Sequence, residues 1–354
     1  MSLFLTTQPG WAFASLAELR QRGVGGYVPF YHRDSSLVAP LSPGAAEAVL
    51  PLSTPADAWG LLLEAEADRA RGDGPDATVR LGRLLTPRRL RAEAARWLDL
   101  STPGRYSVGS EVWGETAHHR GALRDLVREA LREALPGWQG VPSGTDSPRD
   151  LRFLCKADAR AALLGVRLAS NLRPGKGGRP GALREHLASG LLVLAGAGPD
   201  TAVLDPFMGS GTILRAAWRR YGVRTCLGYE VDGEALRLAR RAVRAPDTRL
   251  FHASFEACRP GRLPPGTRLV SNLPFGVRYR EVPTARLVPF LARCRGQVEA
   301  AVLLLGREQG GAVADALGLG RKNVLVLGQP ASVVHSPLRE AALPAVASRA
   351  GVKS

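Results

Sequence analysis

Residues 205–212 read Asp-Pro-Phe-Met-Gly-Ser-Gly-Thr and directly follow a short apolar segment at 202–204. An amphipathic helix is predicted from Gly211 to about Tyr221, so these residues form a loop that joins a buried strand to a helix. The two glycines of the loop allow a tight turn and leave room for a ligand, because neither carries a Cβ. Open α/β sheets bind ligands at the carboxyl ends of their strands, and the loop therefore predicts a binding site. It lacks the third glycine of a dinucleotide fingerprint.

The sequence around this loop alternates between apolar segments and amphipathic helices. Helices are predicted at 211–221 and 233–244, and strands at 202–204, 225–229, 249–251, 268–270, 300–305 and 323–327. This alternation is typical of a doubly wound, mostly parallel sheet in an α/β domain.

The N-terminal half predicts a smaller unit of strands and helices. A strand is expected at 106–113, an amphipathic helix at 122–134, and two strands at 151–156 and 161–166 around a turn. A connector rich in glycine, proline and arginine follows at 171–186. It is either a flexible linker or a basic loop that faces the phosphates of a nucleic acid.

The charge of the chain is unevenly distributed. The formal net charge is +16, and the pI is about 10.8. Residues 1–150 carry 17 arginines and 18 acidic residues, whereas residues 151–354 carry 31 basic and 14 acidic ones. Such a basic C-terminal half indicates a polyanionic partner, because contacts to phosphates release condensed counterions. Two groups of arginines on predicted helices are either such contacts or solvated helix faces: Arg215, Arg219 and Arg220, and Arg237, Arg240, Arg241 and Arg244.

Several classes of site are not expected from the sequence. The six histidines show no metal-ligand spacing, and no Cys-x-x-Cys pair occurs among Cys155, Cys226, Cys258 and Cys294. Neither a disulfide framework nor a metal site is therefore predicted. No apolar segment reaches the roughly 18 residues of a membrane span, and the N-terminus lacks the features of a signal peptide. We expect a cytoplasmic protein without a membrane partner.

Two acidic residues are placed to hold a ligand. Glu230 ends the second predicted strand, about twenty residues beyond the glycine loop, where an acid binds ribose hydroxyls. Asp205 adds a charge that can meet a cationic group such as an ammonium. Asp232 is instead expected to cap the next helix.

The segment Asn272-Leu273-Pro274-Phe275 follows the fourth predicted strand and fits chemistry on an exocyclic base amine. The side-chain carbonyl of Asn272 and the backbone carbonyl of Leu273 can accept the two protons of the amine and direct its lone pair toward a methyl donor. Phe275 offers a stacking surface for a flipped base, and Pro274 stiffens the turn. Because positioning alone can lower a barrier by roughly 7–11 kcal/mol, no strong base is required.

Together, residues 205–212 and 272–276 resemble class I S-adenosylmethionine-dependent methyltransferases that modify the 2-amino group of guanine. The most similar group is the THUMP-domain tRNA methyltransferases. Residues 179–184 resemble a segment that this family places against the cofactor, and residues 105–170 resemble its THUMP region. The resemblance implies a Rossmann-like class I fold with a seven-stranded sheet, an N-terminal α+β THUMP-like region, S-adenosylmethionine as the cofactor and tRNA as the substrate.

The resemblance also assigns roles to residues. The catalytic group is Asn272, Leu273, Pro274 and Phe275. The cofactor-binding group is Asp205, Pro206, Phe207, Gly209, Ser210, Gly211, Thr212, Glu230 and Ser254. Ser254 stands where the family often has an acid that reads the adenine amino group, so the adenine contact is expected to be weaker or to come from the backbone.

The expected division of the chain is an N-terminal α+β segment (1–60), a THUMP-like RNA-binding region (61–172), a catalytic domain (173–345) and a tail (346–354). A monomer that binds RNA, most readily tRNA, is favoured. Two alternatives remain open at this point. One is methylation of guanine N2 in rRNA or of another base amine in DNA or RNA, and the other is a non-catalytic RNA-binding protein of the same fold.

Overall fold

The computed structural model describes residues 2–8, 11–24, 28–29, 36–40, 52–67, 76–145, 147, 149–171, 183–275, 282–326 and 329–335. These residues form two compact units that interleave along the chain. The first unit comprises the described residues of Met1–Thr6, Val38–Leu50 and Asp57–Ser170. The second comprises those of Thr7–Leu37, Pro51–Ala56 and Asn171–Ser354.

The described helices and strands are numbered here in chain order. The helices are α1 (Ala12–Gln21), α2 (Ala77–Leu84), α3 (Pro87–Ala95), α4 (Arg120–Ala134), α5 (Glu185–Leu194), α6 (Thr212–Tyr221), α7 (Gly233–Ala242), α8 (Thr284–Cys294) and α9 (Arg307–Leu317). The strands are β1 (Ser2–Thr6), β2 (Val28–Pro29), β3 (Ser36–Pro40), β4 (Asp57–Glu66), β5 (Arg105–Val112), β6 (Gln139–Val141), β7 (Leu151–Ala157), β8 (Ala161–Ser170), β9 (Ala202–Asp205), β10 (Thr225–Glu230), β11 (Asp247–His252), β12 (Thr267–Asn272), β13 (Ala300–Gly306), β14 (Gly320–Val326) and β15 (Gln329–His335). Within the described ranges, no helix combines the length and apolarity that crossing a membrane requires.

The first unit contains the strands and the helix that the sequence predicts for the N-terminal half. In one mixed sheet, its strands β1, β4, β8, β7, β5 and β6 are neighbours in that order. Strands β7 and β8 form an antiparallel hairpin, and the Asp158 carboxylate accepts hydrogen bonds from the backbone N–H groups of Arg160 and Ala161 in its turn. Helix α4 buries one face against the sheet with Leu123, Val127, Leu131 and Ala134.

The second unit contains the predicted doubly wound sheet. Its seven strands have the order β11-β10-β9-β12-β13-β15-β14. The first five are parallel neighbours, and β15 pairs antiparallel with both β13 and β14. The predicted α/β fold class is therefore confirmed. The order reverses beside β9, since β10 and β11 lie on one side of it and β12 and β13 on the other, which is where such sheets bind ligands.

Side chains of alternate residues supply two cores on the two faces of this sheet. Val203 and Val270 pack with helices α5, α6 and α7, whereas Leu204 and Leu269 pack with α8 and α9. Strands buried on both faces have continuous apolar sequences, as β9 and β13 do.

Two predicted boundaries in the second unit need correction. Helix α7 ends at Ala242 rather than 244, because Val243 is extended and Pro246 follows closely. The strand predicted at 323–327 lies at Gly320–Val326, and β15 was not predicted.

The second unit also includes N-terminal residues. The buried Glu18 carboxylate on α1 accepts hydrogen bonds from the backbone N–H and the hydroxyl of both Ser53 and Thr54, at 2.7–3.0 Å. Trp11 and Ala14 pack against Gly190 of α5. Segments of the first 60 residues thus contribute to the unit that holds the doubly wound sheet. The division of the chain at residues 60 and 172 stays a prediction.

Candidate active site

Four loops meet at the carboxyl edge of the second sheet, after β9, β10, β11 and β12. Parallel pairing sets Asp205 beside Gly228, and Glu230 beside His252. Asn272 ends β12, the other neighbour of β9. The sheet therefore brings the predicted cofactor loop and the predicted catalytic segment to one edge.

Asp205 connects these two segments. Its Oδ1 accepts a hydrogen bond from the Ser271 hydroxyl at 2.5 Å and one from the Phe207 N–H at 3.1 Å. The side chain is 1% exposed, and this burial raises the pKa of Asp205 to about 7 despite the two hydrogen bonds, with a further increase from Glu230. The carboxyl group thus holds the loop after β9 against the end of β12.

Glu230 organises the glycine loop from the neighbouring strand. Its Oε2 accepts a hydrogen bond from the Gly209 N–H and its Oε1 one from the Asp232 N–H, both at 2.8 Å. The Asp232 carboxylate in turn accepts hydrogen bonds from the N–H groups of Glu234 and Ala235 in the first turn of α7. The predicted cap at Asp232 is confirmed.

The two glycines of the loop have different surroundings. Both have positive φ, +52° at Gly209 and +79° at Gly211. A Cβ on Gly209 would enter open space, whereas a Cβ on Gly211 would lie 3.1 Å from the Ala239 Cβ and 3.0 Å from the Val243 Cγ2. Gly209 therefore leaves room for a ligand, and Gly211 allows close packing of the loop on α7.

Asn272 has an unused acceptor. Its side-chain Oδ1 is buried and, among the described residues, has no hydrogen-bond partner. A buried carbonyl without a donor costs free energy, so a ligand N–H group that reached this atom would supply the missing hydrogen bond. The next residue is fixed in place, because the Leu273 N–H donates to the Leu304 carbonyl of β13 and its side chain is buried. Phe275 is half-buried against the core.

Ser254, the second residue after β11, belongs to a charged network. Its hydroxyl donates to Glu256 Oε2 at 3.1 Å, and Arg286 of α8 contacts both oxygens of the same carboxylate at 2.8 and 2.6 Å. The Arg286 hydrogen bond lowers the pKa of Glu256, so this carboxylate stays ionised. Because its proton is directed at Glu256, the Ser254 hydroxyl is available as an acceptor.

The structure adds three residues to the site that were not predicted. Ser271 is buried and bonded to Asp205, and the only signal in the sequence is a polar residue inside an apolar strand. Met208 packs its sulfur over Gly228, where a Cβ would lie 2.3 Å away. The Phe255 ring lies 4.8 Å from that of Phe207 and joins the loops after β11 and β9.

Neither a disulfide nor a metal site is found in the part of the chain that the structure describes. All four cysteines are free and buried. Across the described residues, no group of three or more histidine, cysteine, aspartate or glutamate side chains is placed to hold a metal ion.

Solved structures share the fold of this chain. The crystal structure of TrmN from Thermus thermophilus matches with a TM-score of 0.69 at 25% identity, over 94% of this chain and 98% of that chain. A putative methyltransferase complexed with SAH matches with a TM-score of 0.64 at 14% identity, over 95% of this chain and 97% of that one. The second unit has the class I methyltransferase fold.

Sequence comparisons support the assignment of this methyltransferase unit. Residues 173–219 match the family model UPF0020, described as an RMKL-like methyltransferase domain. A tRNA (guanine(6)-N2)-methyltransferase of Thermus thermophilus is 33% identical over 193 residues. The match covers 53% of this chain and 56%, or about half, of that relative.

Parts of the predicted site lie outside the described residues. These are residues 179–182 of the segment that resembles a cofactor contact, and Gly276 after the catalytic segment. The same holds for most of the connector at 171–186 and for the tail at 346–354. All thirteen predicted catalytic and cofactor-binding residues lie within the described ranges of the methyltransferase unit.

Replacing Asp205 with asparagine is expected to flatten the pH dependence of stability. Because the pKa of Asp205 is raised from 3.8 to about 7, the folded protein keeps a proton between these pH values that the unfolded chain has lost. The free energy of unfolding therefore falls as the pH rises through this range. At about 1.4 kcal/mol per pKa unit, the free energy of unfolding of the wild type falls by on the order of 2–3 kcal/mol between pH 5 and pH 8. We expect Asp205→Asn to lack this decrease.

Denaturant unfolding at the two pH values measures this difference. Asparagine keeps the Oδ1 atom that accepts both hydrogen bonds, so the variant is expected to fold. An identical change of stability with pH in the two proteins would show that Asp205 is not the titrating group.

Proposed function

We propose that this chain is an S-adenosylmethionine-dependent RNA methyltransferase that modifies the exocyclic 2-amino group of a guanosine in tRNA, in the cytoplasm. The observation that carries the proposal is the buried Oδ1 of Asn272, which has no hydrogen-bond partner in the described ranges and lies at the sheet edge that also holds the Gly209 loop. An acceptor without a donor fits a substrate that brings an N–H group. The name of the Thermus relative supports guanine N2 in tRNA as that group.

The residues at this edge fit the cofactor. Open space above Gly209 leaves room for the methionine part, and Glu230 on the next strand is placed for the ribose hydroxyls. The methionine part is assigned to the loop after β9 and the ribose to the end of β10, so the adenine is assigned to the loop after the next strand, β11. The Ser254 hydroxyl in that loop is an acceptor suited to an amino group. The remaining loop residues, Pro206, Phe207, Ser210, Gly211 and Thr212, shape the cofactor site. When bound, S-adenosylmethionine supplies an electrophilic methyl group.

The catalytic segment acts by orienting the base. In the proposed mechanism, the Asn272 side-chain carbonyl and the Leu273 backbone carbonyl accept hydrogen bonds from the two N–H groups of the amine. The nitrogen lone pair then points out of the ring plane, toward the cofactor loop. Leu273 and Pro274 keep these acceptors in place, and Phe275 stacks on the flipped base. Orientation of this kind supplies the rate enhancement without a strong base.

Methyl transfer to bulk tRNA tests the proposal. We expect tritium from labelled S-adenosylmethionine to enter tRNA, and mass spectrometry of the digested nucleosides to find N2-methylguanosine. Transfer to rRNA or duplex DNA, with none to tRNA, would contradict the assigned substrate. Absence of S-adenosylhomocysteine binding in calorimetry would contradict the enzymatic function altogether and favour an RNA-binding protein.

A further inference from the structure

A second cavity lies at the outer edge of the methyltransferase sheet, between α7 and β11. It has a volume of about 410 Å³ and is formed by the end of α7, the following loop and the start of β11. Its lining combines two arginines with apolar side chains and one hydroxyl: Arg240, Val243, Arg244, Ala245, Thr248 and Leu250.

Both guanidinium groups at this cavity lack a carboxylate partner among the described residues. Arg240 Nη2 donates to the Leu250 carbonyl at 3.4 Å, and Arg244 Nε donates to the Arg241 carbonyl at 3.1 Å. The acid of the same loop, Asp247, is already bound through both oxygens to Arg249 at 2.9 and 3.0 Å. The cavity therefore presents two positive charges that are held in place and not neutralised.

The position of the cavity excludes the methyl donor and the target base as its ligands. Helix α7 begins beside Glu230 at the carboxyl edge of the sheet and ends at the opposite edge, where β11 begins. On β11 the cavity lining ends at Leu250, two residues or roughly 7 Å before the carboxyl end, and β11 lies three strands, or roughly 14 Å, from β12. A ligand at the cavity that takes part in the same reaction must belong to a remote portion of a large substrate.

We propose that Arg240 and Arg244 bind backbone phosphates of the RNA substrate at this cavity, roughly 15 Å from the methylated base. Guanidinium groups suit phosphate oxygens because their N–H donors form a planar fork. The half-buried Leu250 offers an apolar contact to the sugar face of the backbone, and the excess of basic residues in 151–354 favours a polyanion. This inference rests on the proposed function.

Binding of bulk tRNA by the full chain tests the inference. For the double variant Arg240→Gln/Arg244→Gln, we expect roughly tenfold weaker binding and a salt-dependence slope reduced by about 1–2, since each phosphate contact contributes about 0.7–0.9 to the slope. The KM for tRNA should rise, while kcat at saturating tRNA and the affinity for S-adenosylhomocysteine stay unchanged.

A control variant with the same loss of charge is Arg293→Gln/Arg295→Gln, at the exposed end of α8. Its affinity for tRNA is expected to be much closer to that of the wild type than the affinity of Arg240→Gln/Arg244→Gln is. Equal losses of tRNA affinity in the two double variants would overturn the inference, because they would indicate an effect of net charge. Wild-type affinity and a wild-type salt-dependence slope in Arg240→Gln/Arg244→Gln would overturn it as well. A wild type that neither binds nor methylates tRNA would instead remove the proposed function itself.

Discussion

Replacing Asn272 with alanine is expected to lower kcat by about 10²–10³, the range seen when one preorganised polar group is removed from an active site. The Oδ1 of Asn272, to which no described residue donates, is the atom that accepts a hydrogen bond from the base amine in the proposed mechanism. Removing it leaves the amine free to rotate and to keep its lone pair in the ring. The affinity for S-adenosylhomocysteine should be unchanged, because no predicted cofactor contact involves this side chain.

Asn272→Asp is the matched variant, since it keeps an oxygen acceptor of the same shape. We expect it to retain more activity than Asn272→Ala in single-turnover methyl transfer to tRNA. Calorimetric binding of S-adenosylhomocysteine to both variants provides the check on folding. Wild-type turnover by Asn272→Ala would refute the role assigned to this side chain.

Replacing Gly211 with alanine is expected to destabilise the methyltransferase unit by about 2–5 kcal/mol. A left-handed backbone conformation costs an ordinary residue roughly 1–2 kcal/mol, and forcing a methyl group into a packed interface costs roughly 1–3 kcal/mol more. Gly211 meets both conditions, because its φ is +79° and an added methyl group would press against Ala239 and Val243. The loss should appear as a lower denaturant midpoint in chemical unfolding.

Gly209→Ala provides the comparison within the same loop. Its φ of +52° carries a similar backbone cost, but its Cβ would meet nothing within 4 Å. We expect a smaller loss of stability and at least about tenfold weaker binding of S-adenosylhomocysteine, since the new methyl group occupies the space left for the ligand. Equal stability losses in the two variants, with cofactor affinity intact in Gly209→Ala, would contradict the separation of roles.

The role of Asp205 can be resolved in the same assays. The sequence predicts that its carboxylate meets the ammonium of the cofactor, whereas the structure gives its Oδ1 two internal donors. Weaker binding of S-adenosylhomocysteine by Asp205→Asn would support the ammonium contact. Unchanged binding would leave Asp205 as a positioning residue between β9 and β12.

Much of the methyltransferase unit was predictable because its signals are local. The loop at 205–212, the cap at Asp232 and the alternation of strands and helices each depend on residues within one turn or one strand. Strand β15 escaped prediction because Pro330 lies near its start, and a proline argues against a strand inside a sheet.

The sequence by itself determined the fold class and a set of candidate site residues, since hydrophobic periodicity and turn chemistry are encoded over a few neighbouring positions. Only the tertiary structure decided which contacts each of those residues makes. Asp205 and Ser271 are 66 positions apart, and Gly211 needs its missing Cβ because α7 packs against it. The free acceptor on Asn272 is also a tertiary property, because burial and the absence of a donor depend on which segments the fold brings together.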